Sequence, residues 1–329
     1  MTTPSSADRR ARVVSALACA PGGVSGEDLA SGLGVSRAAV AKHVVALRAL
    51  GYAIEAEPGR GYRLLEAPDA PLPYEVAPLL ASATWGPLVG GGVTGSTNAD
   101  ACDLARGGAP AGTVVLASAQ TRGRGRLGRG WDSPRGGVYV SMLLRPDVEP
   151  AGAGTLPLAV GVGVALGLEA LGARVGLKWP NDVWLLDGAG ASIGKVAGVL
   201  LESMIEGECL AWVVAGVGVD VHADGHVSPG AAYLEALPGG APPLAVVAAA
   251  VLDGVAEALA RHAASGFAGL VPEWSRRSVL AGRAVTVSDA AGRVVASGCV
   301  AGVDESGRLV VDGADGSSAI AAGDVTLRV

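Results

Sequence analysis

A single run of alternating glycine and arginine is the part of the chain with the clearest capacity for chemistry. Residues 120–131 read Gln-Thr-Arg-Gly-Arg-Gly-Arg-Leu-Gly-Arg-Gly-Trp, and the run lies mid-chain between two apolar, strand-like stretches. Glycine lets a backbone approach a ligand closely, and arginine offers forked donors to phosphate or carboxylate groups. We therefore predict a loop that wraps a small anionic ligand, with Trp131 as an aromatic lid. A flexible Gly/Arg tail is the alternative, but such tails usually repeat and lie at termini.

The rarest polar residues are concentrated in a few short motifs. Only three of the 25 basic residues are lysines, and the chain has one Gln and two Asn. Apart from Lys42, they lie in Ser96-Thr97-Asn98, at Gln120, in Lys178-Trp179-Pro180-Asn181-Asp182 and in Lys195-Val196-Ala197-Gly198. In a chain built largely from Ala, Gly and Val, this scarcity indicates that these motifs carry the function.

Length and composition restrict the class of protein. A chain of 329 residues, half of them hydrophobic, is long enough for two or three domains. The net charge is −6, yet residues 9–63 hold eight basic and four acidic residues, which is typical of a nucleic-acid-binding N-terminus. The four cysteines form no CxxC pair, the start lacks an apolar signal segment, and acidic residues interrupt the long apolar runs. We expect a cytoplasmic protein with reduced thiols and no membrane span.

The first 65 residues carry the pattern of a winged helix-turn-helix. Ser25 and Ser36 are suited to cap helices. The predicted elements are a helix at 9–19, a second helix after Ser25, a third at 37–49, and strands at 52–56 and 61–65. Basic side chains on the outer face of the third helix suit the major groove of DNA. We expect DNA contacts from Arg37, Lys42, His43, Arg48 and, on the wing, Arg60. A winged helix that binds protein, or that has lost its DNA role, is the alternative.

The rest of the chain divides into three segments. Four prolines and few helix or strand cues indicate a linker over 66–78. The predicted domains are 1–65, the winged helix; 79–275, a central domain of alternating strands and helices; and 276–329, a small β-barrel. In the central domain, strands are predicted at 113–119, 137–145, 175–179, 182–187, 196–204 and 211–221, and helices at 97–107, 154–172, 244–264 and 268–276.

Taken in order, these motifs resemble the bifunctional biotin protein ligases that double as biotin-operon repressors. The resemblance covers the whole chain. It rests on Ser96-Thr97-Asn98, on Gln120 with residues 123–131, on the motifs at 178–182 and 195–198, and on Gly216-Val217-Gly218-Val219-Asp220. It implies a multidomain α+β fold: an N-terminal winged helix, a central α/β domain of the class II aminoacyl-tRNA synthetase and biotin ligase type with a mixed sheet, and an SH3-like C-terminal β-barrel.

The resemblance also implies an activity and its partners. Such enzymes join biotin to ATP, release pyrophosphate and hold biotinyl-5′-AMP, and then pass biotin to a lysine of a biotin carboxyl carrier domain of a carboxylase. ATP and Mg²⁺ are the implied cofactors, with Mg²⁺ carried by ATP and no resident metal site. Operator DNA and a second copy of the chain, in a ligand-promoted homodimer, are the further implied partners; no membrane is expected.

Site residues follow from the resemblance, motif by motif. Biotin is expected to contact Ser96, Thr97, Asn98, Gln120, Gly123, Arg124, Gly125, Arg126 and Lys195. The nucleotide is expected to contact Arg126, Leu127, Trp131, Asn181, Lys195, Gly216, Gly218 and Asp220. Lys195, Arg126, Lys178 and Asp182 are expected to act in catalysis.

Two departures from the family pattern are visible. The family usually has Asn at the position of Asp220, where it meets the nucleotide, and an ionised Asp accepts but cannot donate there. An insertion-like stretch over 187–194 predicts a longer, mobile hairpin before Lys195. A surface ion pair between Lys178 and Asp182 is a bland alternative to their catalytic role.

Three rival functions stay open at this point. A lipoate or octanoate ligase shares the core fold but normally lacks the Gly/Arg run and the leading winged helix. A pure transcriptional regulator would use the ligand only as a signal, and the intact Lys195 argues against it. A ligase with a vestigial winged helix is the third.

Overall fold

The N-terminal unit is a three-helix winged helix whose helix starts are fixed by serine caps. The computed structural model describes residues 6–146, 150–206, 209–223, 228–314 and 316–327. Ser25 Oγ accepts from Asp28 N, and Ser36 Oγ accepts from Ala39 N, as the sequence predicted. The elements are α1 (Ser6–Ala18), α2 (Gly26–Leu33), α3 (Arg37–Ala49), β1 (Ala53–Glu57) and β2 (Gly61–Glu66). Strands β1 and β2 pair antiparallel to form the wing.

The segment predicted as a linker contains helical structure. Helix α4 (Pro73–Val76) continues into a 3-10 turn at Ala77–Leu79. Pro73 occupies the first turn, where a missing N–H costs nothing. Tyr74 packs into the core of the winged helix, whereas Val76 packs into the core of the central domain. The connection between the two units is therefore packed and partly helical, which the prolines and the few helix cues did not indicate.

The central unit is a mixed seven-stranded sheet covered by helices. The strand order is β3-β5-β7-β11-β10-β9-β8, with β3 parallel to β5 and the other pairs antiparallel. Its strands are β3 (Leu88–Gly90), β5 (Val114–Ala117), β7 (Gly137–Leu144), β8 (Val175–Lys178), β9 (Asp182–Leu186), β10 (Ser192–Glu206) and β11 (Cys209–Asp220); β4 (Val93–Thr94) and β6 (Ala119–Gln120) form a separate parallel pair. The sequence did not predict β3, β4 or β6, because two- or three-residue strands carry no alternation.

Helices α6 (Leu156–Ala170) and α7 (Leu244–Ser265) cover one face of this sheet. Helix α5 (Thr97–Arg106), which precedes them in the chain, covers the other face. Glycines allow α6 and α7 to pack closely: a Cβ on Gly163 would lie 2.5 Å from Val255 Cα. The stretch 152–170 is long and apolar enough to cross a bilayer, but 67% of it is buried inside the protein, as in a core helix.

The C-terminal unit is a five-stranded antiparallel sheet joined tightly to the central unit. Helix α8 (Val271–Arg277) leads into it, preceded by a 3-10 turn at Phe267–Leu270 where one helix was predicted. Its strands are β12 (Ala284–Ser288), β13 (Val294–Val303), β14 (Leu309–Gly313), β15 (Gly316–Ile320) and β16 (Asp324–Leu327), in the order β15-β14-β13-β12-β16. Trp179 Nε1 donates to Gly307 O at 3.1 Å across the junction.

Candidate active site

A cavity of about 390 Å³ lies on the face of the central sheet that carries α5, between the Gly/Arg loop and β16. The structure brings nearly all the predicted ligase residues to its wall. They are Ser96, Thr97, Asn98, Gln120, Arg124, Gly125, Arg126, Trp131, Lys178, Asn181, Asp182, Lys195, Gly216 and Gly218. Motifs more than 100 residues apart in sequence therefore form one site.

The first end of the cavity is lined mainly by neutral polar side chains. Gln120 Oε1 accepts from Thr97 N at 2.8 Å and from Thr97 Oγ1 at 3.1 Å, and its Nε2 donates to Ser133 Oγ at 2.9 Å. Ser141 Oγ lies 2.8 Å from Thr97 Oγ1 and 2.6 Å from Asn98 Oδ1. These hydrogen bonds hold donors and acceptors in fixed directions, as recognition of a neutral polar ligand requires.

The floor of the cavity is made of glycines because other side chains lie directly on it. A Cβ on Gly216 would lie 2.0 Å from Asn98 Oδ1, and one on Gly218 would lie 2.5 Å from Trp131 Nε1. Trp131 Nε1 is buried and has no hydrogen-bond partner within the described residues. The Gly-Val-Gly pattern of β11 thus makes room for Asn98 and Trp131.

The Gly/Arg loop is folded on itself and tied to the walls around it. Gly125 N donates to Arg129 O at 2.7 Å, and Trp131 N donates to Gly123 O at 3.0 Å. Arg124 pairs with Glu202 at 2.9 Å, whereas Arg126 Nη1 donates to Asn181 Oδ1 at 3.2 Å. Burial lowers the pKa of the Arg126 guanidinium. This ordered loop excludes the interpretation as a flexible Gly/Arg tail.

Lys195 lies at the second, cationic end of the cavity. Its Nζ is 2.6 Å from Asp182 Oδ1 and 4.9 Å from the centroid of the Trp131 ring. The partner of Asp182 is therefore Lys195, and the simple Lys178–Asp182 ion pair is wrong. Lys178 instead has its Nζ over the Trp184 ring, 5.1 Å from the centroid. An ammonium fixed between a carboxylate and an aromatic ring is well placed to meet an incoming anion.

Asp220 ends β11 beneath this region, opposite Gly137. Burial raises its pKa to about 7; the nearby Lys195 charge lowers the pKa, and the Asp132 charge raises it. At neutral pH a substantial fraction of this carboxyl is protonated, so it can donate a hydrogen bond as an Asn amide does.

Three predicted residues do not line the cavity. They are Gly123, Leu127 and Asp220. Gly123 supports the loop instead, since a Cβ there would lie 2.3 Å from Trp131 O. The Leu127 side chain is 53% exposed, and its φ of 56° is the only positive φ among the described non-glycine residues.

Sequence reasoning missed several contributors to the site. Ser141 and Glu202 hold Asn98, whose Nδ2 donates to Glu202 Oε2 at 2.9 Å. Asp324, Val325 and Thr326 of β16 line the cavity, and Asp324 pairs with Arg129 at 2.5 Å. These residues carry no local motif; only the tertiary fold brings the last strand of the chain to the site.

The predicted DNA-binding residues are less uniform. Lys42 is exposed on α3, and Arg60 is exposed on the wing beside Glu57 at 3.3 Å. Arg37 is exposed and 3.7 Å from Glu27. Arg48 is exposed as predicted, and its guanidinium also donates to Ile54 O at 2.7 and 2.9 Å. One prediction of an outward side chain requires correction, because His43 is half-buried. Burial and the nearby Arg10 and Arg9 charges lower the pKa of His43.

Comparison with known protein families supports this arrangement of units. Residues 9–63 match the HTH domain, residues 91–220 match the Biotin/lipoate A/B protein ligase family, and residues 281–328 match the Biotin protein ligase C terminal domain. The chain is thus an α+β protein with an N-terminal helix-turn-helix, a central ligase domain and a C-terminal ligase-associated domain.

Two individual relatives are similar to this chain over most of its length. The chain is 37% identical over 247 residues to the biotin–[acetyl-CoA-carboxylase] ligase of Paracoccus denitrificans, an alignment that covers 70% of this chain and 97% of that protein. It is 39% identical over 202 residues to the bifunctional ligase/repressor BirA of Bacillus subtilis, covering 60% of each protein.

A solved structure agrees with these relatives. The biotin protein ligase of Aquifex aeolicus in complex with biotin and ATP superimposes with a TM-score of 0.62 at 27% identity, covering 74% of this chain and 99% of that one. The fold and the cavity define a ligase-type α/β domain. The chain belongs to the biotin protein ligase family.

Proposed function

We propose that the chain is an ATP-dependent biotin protein ligase that forms biotinyl-5′-AMP and then biotinylates a lysine of a carboxyl carrier domain. One observation supports this most strongly: a single cavity joins the neutral polar end at Thr97 and Gln120 to the cationic end at Arg126 and Lys195. Biotin carries a neutral ureido ring at one end and a carboxylate at the other, so its two ends match the two ends of the cavity.

The first step joins two anions. A carboxylate oxygen of biotin attacks the α-phosphorus of ATP, and the bond to the β-phosphate breaks as pyrophosphate leaves. The Lys195 ammonium and the Arg126 guanidinium offset the repulsion between carboxylate and phosphate and stabilise the charge of the transition state. Trp131 offers the adenine a ring face, and Asp182 is the carboxylate suited to the Mg²⁺ that accompanies ATP.

The second step needs no nucleophile from the enzyme. The mixed anhydride is already an activated acyl group, so the neutral amine of the acceptor lysine attacks its carbonyl carbon and AMP leaves. The cavity contributes positioning, which by itself supplies a large part of such rate enhancements.

Biotin-dependent exchange of labelled pyrophosphate into ATP tests the first step. We expect exchange with biotin and none with lipoate or octanoate, because the polar end offers matched partners to a ureido ring and not to an alkyl chain. Exchange with lipoate alone would assign the chain to the rival ligase class. Exchange with neither acid would favour a pure regulator.

We further propose that the winged helix makes the chain a biotin-responsive repressor. Adenylate binding orders the Gly/Arg loop, that order favours a homodimer, and a dimer places two winged helices on one palindromic site. The exposed Lys42, Arg37 and Arg60 support this proposal. Genomic fragments retained by the protein should be enriched in one palindrome only when biotin, ATP and Mg²⁺ are present. Without enrichment, the winged helix of an active ligase is idle or repurposed.

Two finer features complete the proposal. The five antiparallel strands of the C-terminal unit are inferred to form an SH3-like barrel, whose last strand covers the cavity. The protein is inferred to act in the cytoplasm, which agrees with the free thiols of Cys19, Cys102 and Cys299.

A further inference from the structure

A second cavity lies beside the reaction cavity, at the edge of the sheet that is formed by β8. Its volume is about 500 Å³, and it is bounded by β8, β9, the end of α8 and the start of the C-terminal unit. Asp182 of β9 lines the first cavity, and Trp184, two residues along the same strand face, lines the second. Lys178 lines both, so the two cavities are neighbours at this residue.

The wall of this second cavity is strongly basic. Five side chains carry a positive charge, and Glu169 is the single acid among the described residues that line it. The basic residues are Arg174, Lys178, Arg276, Arg277 and Arg283. Such an excess is notable in a chain whose net charge is −6.

Two of the five cations are held in ion pairs within the protein. The Arg277 side chain is only 4% exposed, and its Nη2 is 2.6 Å from Glu169 Oε2. Arg277 and Arg276 also share Glu273, at 2.5 and 2.6 Å. These pairs fix the wall and leave little charge for a ligand.

The other three cations have no such partner. Among the described residues, Arg174, Lys178 and Arg283 make no ion pair with a carboxylate; Arg174 donates to Gly188 O at 2.5 Å. Three cations without an ion pair therefore line a cavity whose described wall holds no acid except the engaged Glu169.

We propose that this second cavity binds a multiply charged phosphate anion, and that its natural ligand is the pyrophosphate released by adenylation. Phosphate oxygens satisfy guanidinium and ammonium donors at once. The choice of pyrophosphate rests on the proposed ligase function and on Lys178, which lines both the cavity where the anion is released and this one. A concave site suits a small ligand more than it suits the surface of a protein partner.

Isothermal titration with pyrophosphate tests the site directly. The full-length protein is first saturated with biotin and AMP in the absence of Mg²⁺, so that the reaction cavity is filled and no reaction runs. The double variant Arg174→Gln/Arg283→Gln should bind pyrophosphate about tenfold or more weakly than wild type, because both residues are exposed donors to the anion.

A control variant removes one charge from the C-terminal unit, to which Arg283 also belongs. The Arg293 side chain is 82% exposed and paired with Asp289, away from the cavity. Arg293→Gln should bind pyrophosphate like wild type. Equal affinity in wild type and the double variant, or an equal loss in the control, would overturn the proposal. Malonate binding as tightly as pyrophosphate would overturn the phosphate preference.

Activity separates this proposal from the ligase assignment. Arg174 and Arg283 do not line the reaction cavity, so the double variant should retain the wild-type rate of biotin-dependent ATP–pyrophosphate exchange at saturating pyrophosphate. Exchange absent from the wild type would contradict the ligase function and the assigned source of the anion. Even then, the pyrophosphate titration of the protein saturated with biotin and AMP would decide whether the anion site exists.

Discussion

The reaction cavity and the winged helix use basic side chains in opposite ways. In the cavity, Lys195 and Arg126 are largely enclosed and each has a defined polar neighbour, Asp182 or Asn181. On α3, Lys42 is exposed and has no ion-pair partner in the part of the chain that the structure describes. The cations of the cavity therefore have defined neighbours within the protein, whereas the helix offers charge that gains its geometry from the partner. Changes in the first region should be large and specific, and changes in the second smaller and dependent on salt.

The lysines themselves provide the sharpest test of this contrast. Lys195→Ala should reduce the rate of adenylate formation about 10²–10³-fold, because it removes the ammonium at the meeting point of carboxylate and phosphate. Lys42→Ala should leave that rate unchanged and weaken DNA binding, with the salt dependence of binding reduced by roughly one unit of slope. Single-turnover adenylation and DNA binding at several salt concentrations measure the two effects. A Lys195→Ala protein that biotinylates a carrier domain at the normal rate would contradict the role given to this residue.

One glycine in each region shows the same contrast in packing. A Cβ on Gly218 would lie 2.5 Å from Trp131 Nε1, so Gly218→Ala should displace the ring and weaken nucleotide binding about 10- to 100-fold. Gly32 lies within α2, where an added Cβ meets nothing within 4 Å. Gly32→Ala should therefore raise the free energy of unfolding by about 0.5–1 kcal/mol and leave nucleotide binding unchanged. Titration with ATP and urea denaturation of both variants check this pair; equal ATP affinity in the two variants would contradict it.

How far the sequence could predict each region follows from the same contrast. The helices and caps of the winged helix follow from local patterns, and α3 was predicted with its observed bounds. The cavity was predictable because its residues lie in short motifs of rare residue types. Asp324 and Glu202 escaped prediction, because they reach the site only through strand order and long-range packing. The helix over Pro73–Val76 escaped because its stability comes from burying Tyr74 and Val76 against two different cores.

A buried carboxyl at the end of β11 gives the cavity region a pH dependence. The pKa of Asp220 is about 7 in the folded protein, against an ordinary value of 3.8 that applies to the unfolded chain. At a pH between the two pKa values, the unfolded chain holds fewer protons at this site than the folded protein. The free energy of unfolding therefore falls as the pH rises from about 4 to 7 and then levels off. Asp220→Asn should remove this slope and stabilise the protein at pH 8.5 by about 2 kcal/mol, with a smaller gain at pH 5. Urea denaturation at the two pH values measures the difference. An equal gain at both values would show that burial of the ionised group is not the cause.

Arg48 provides the smallest and most discriminating test, because the sequence and the structure assign it different tasks. Its guanidinium donates to Ile54 O at 2.7 and 2.9 Å and thereby ties α3 to the first strand of the wing. Arg48→Ala should lower the free energy of unfolding of the winged helix by about 1 kcal/mol, since a carbonyl acceptor loses its donors. DNA affinity should then fall with little change in its salt dependence. If Arg48 instead contacts a phosphate, stability stays constant and the salt slope falls by roughly one unit, as expected for Lys42→Ala. Measuring both quantities on the same two variants therefore decides whether the basic face of α3 includes Arg48 or whether this residue holds the wing in place for the others.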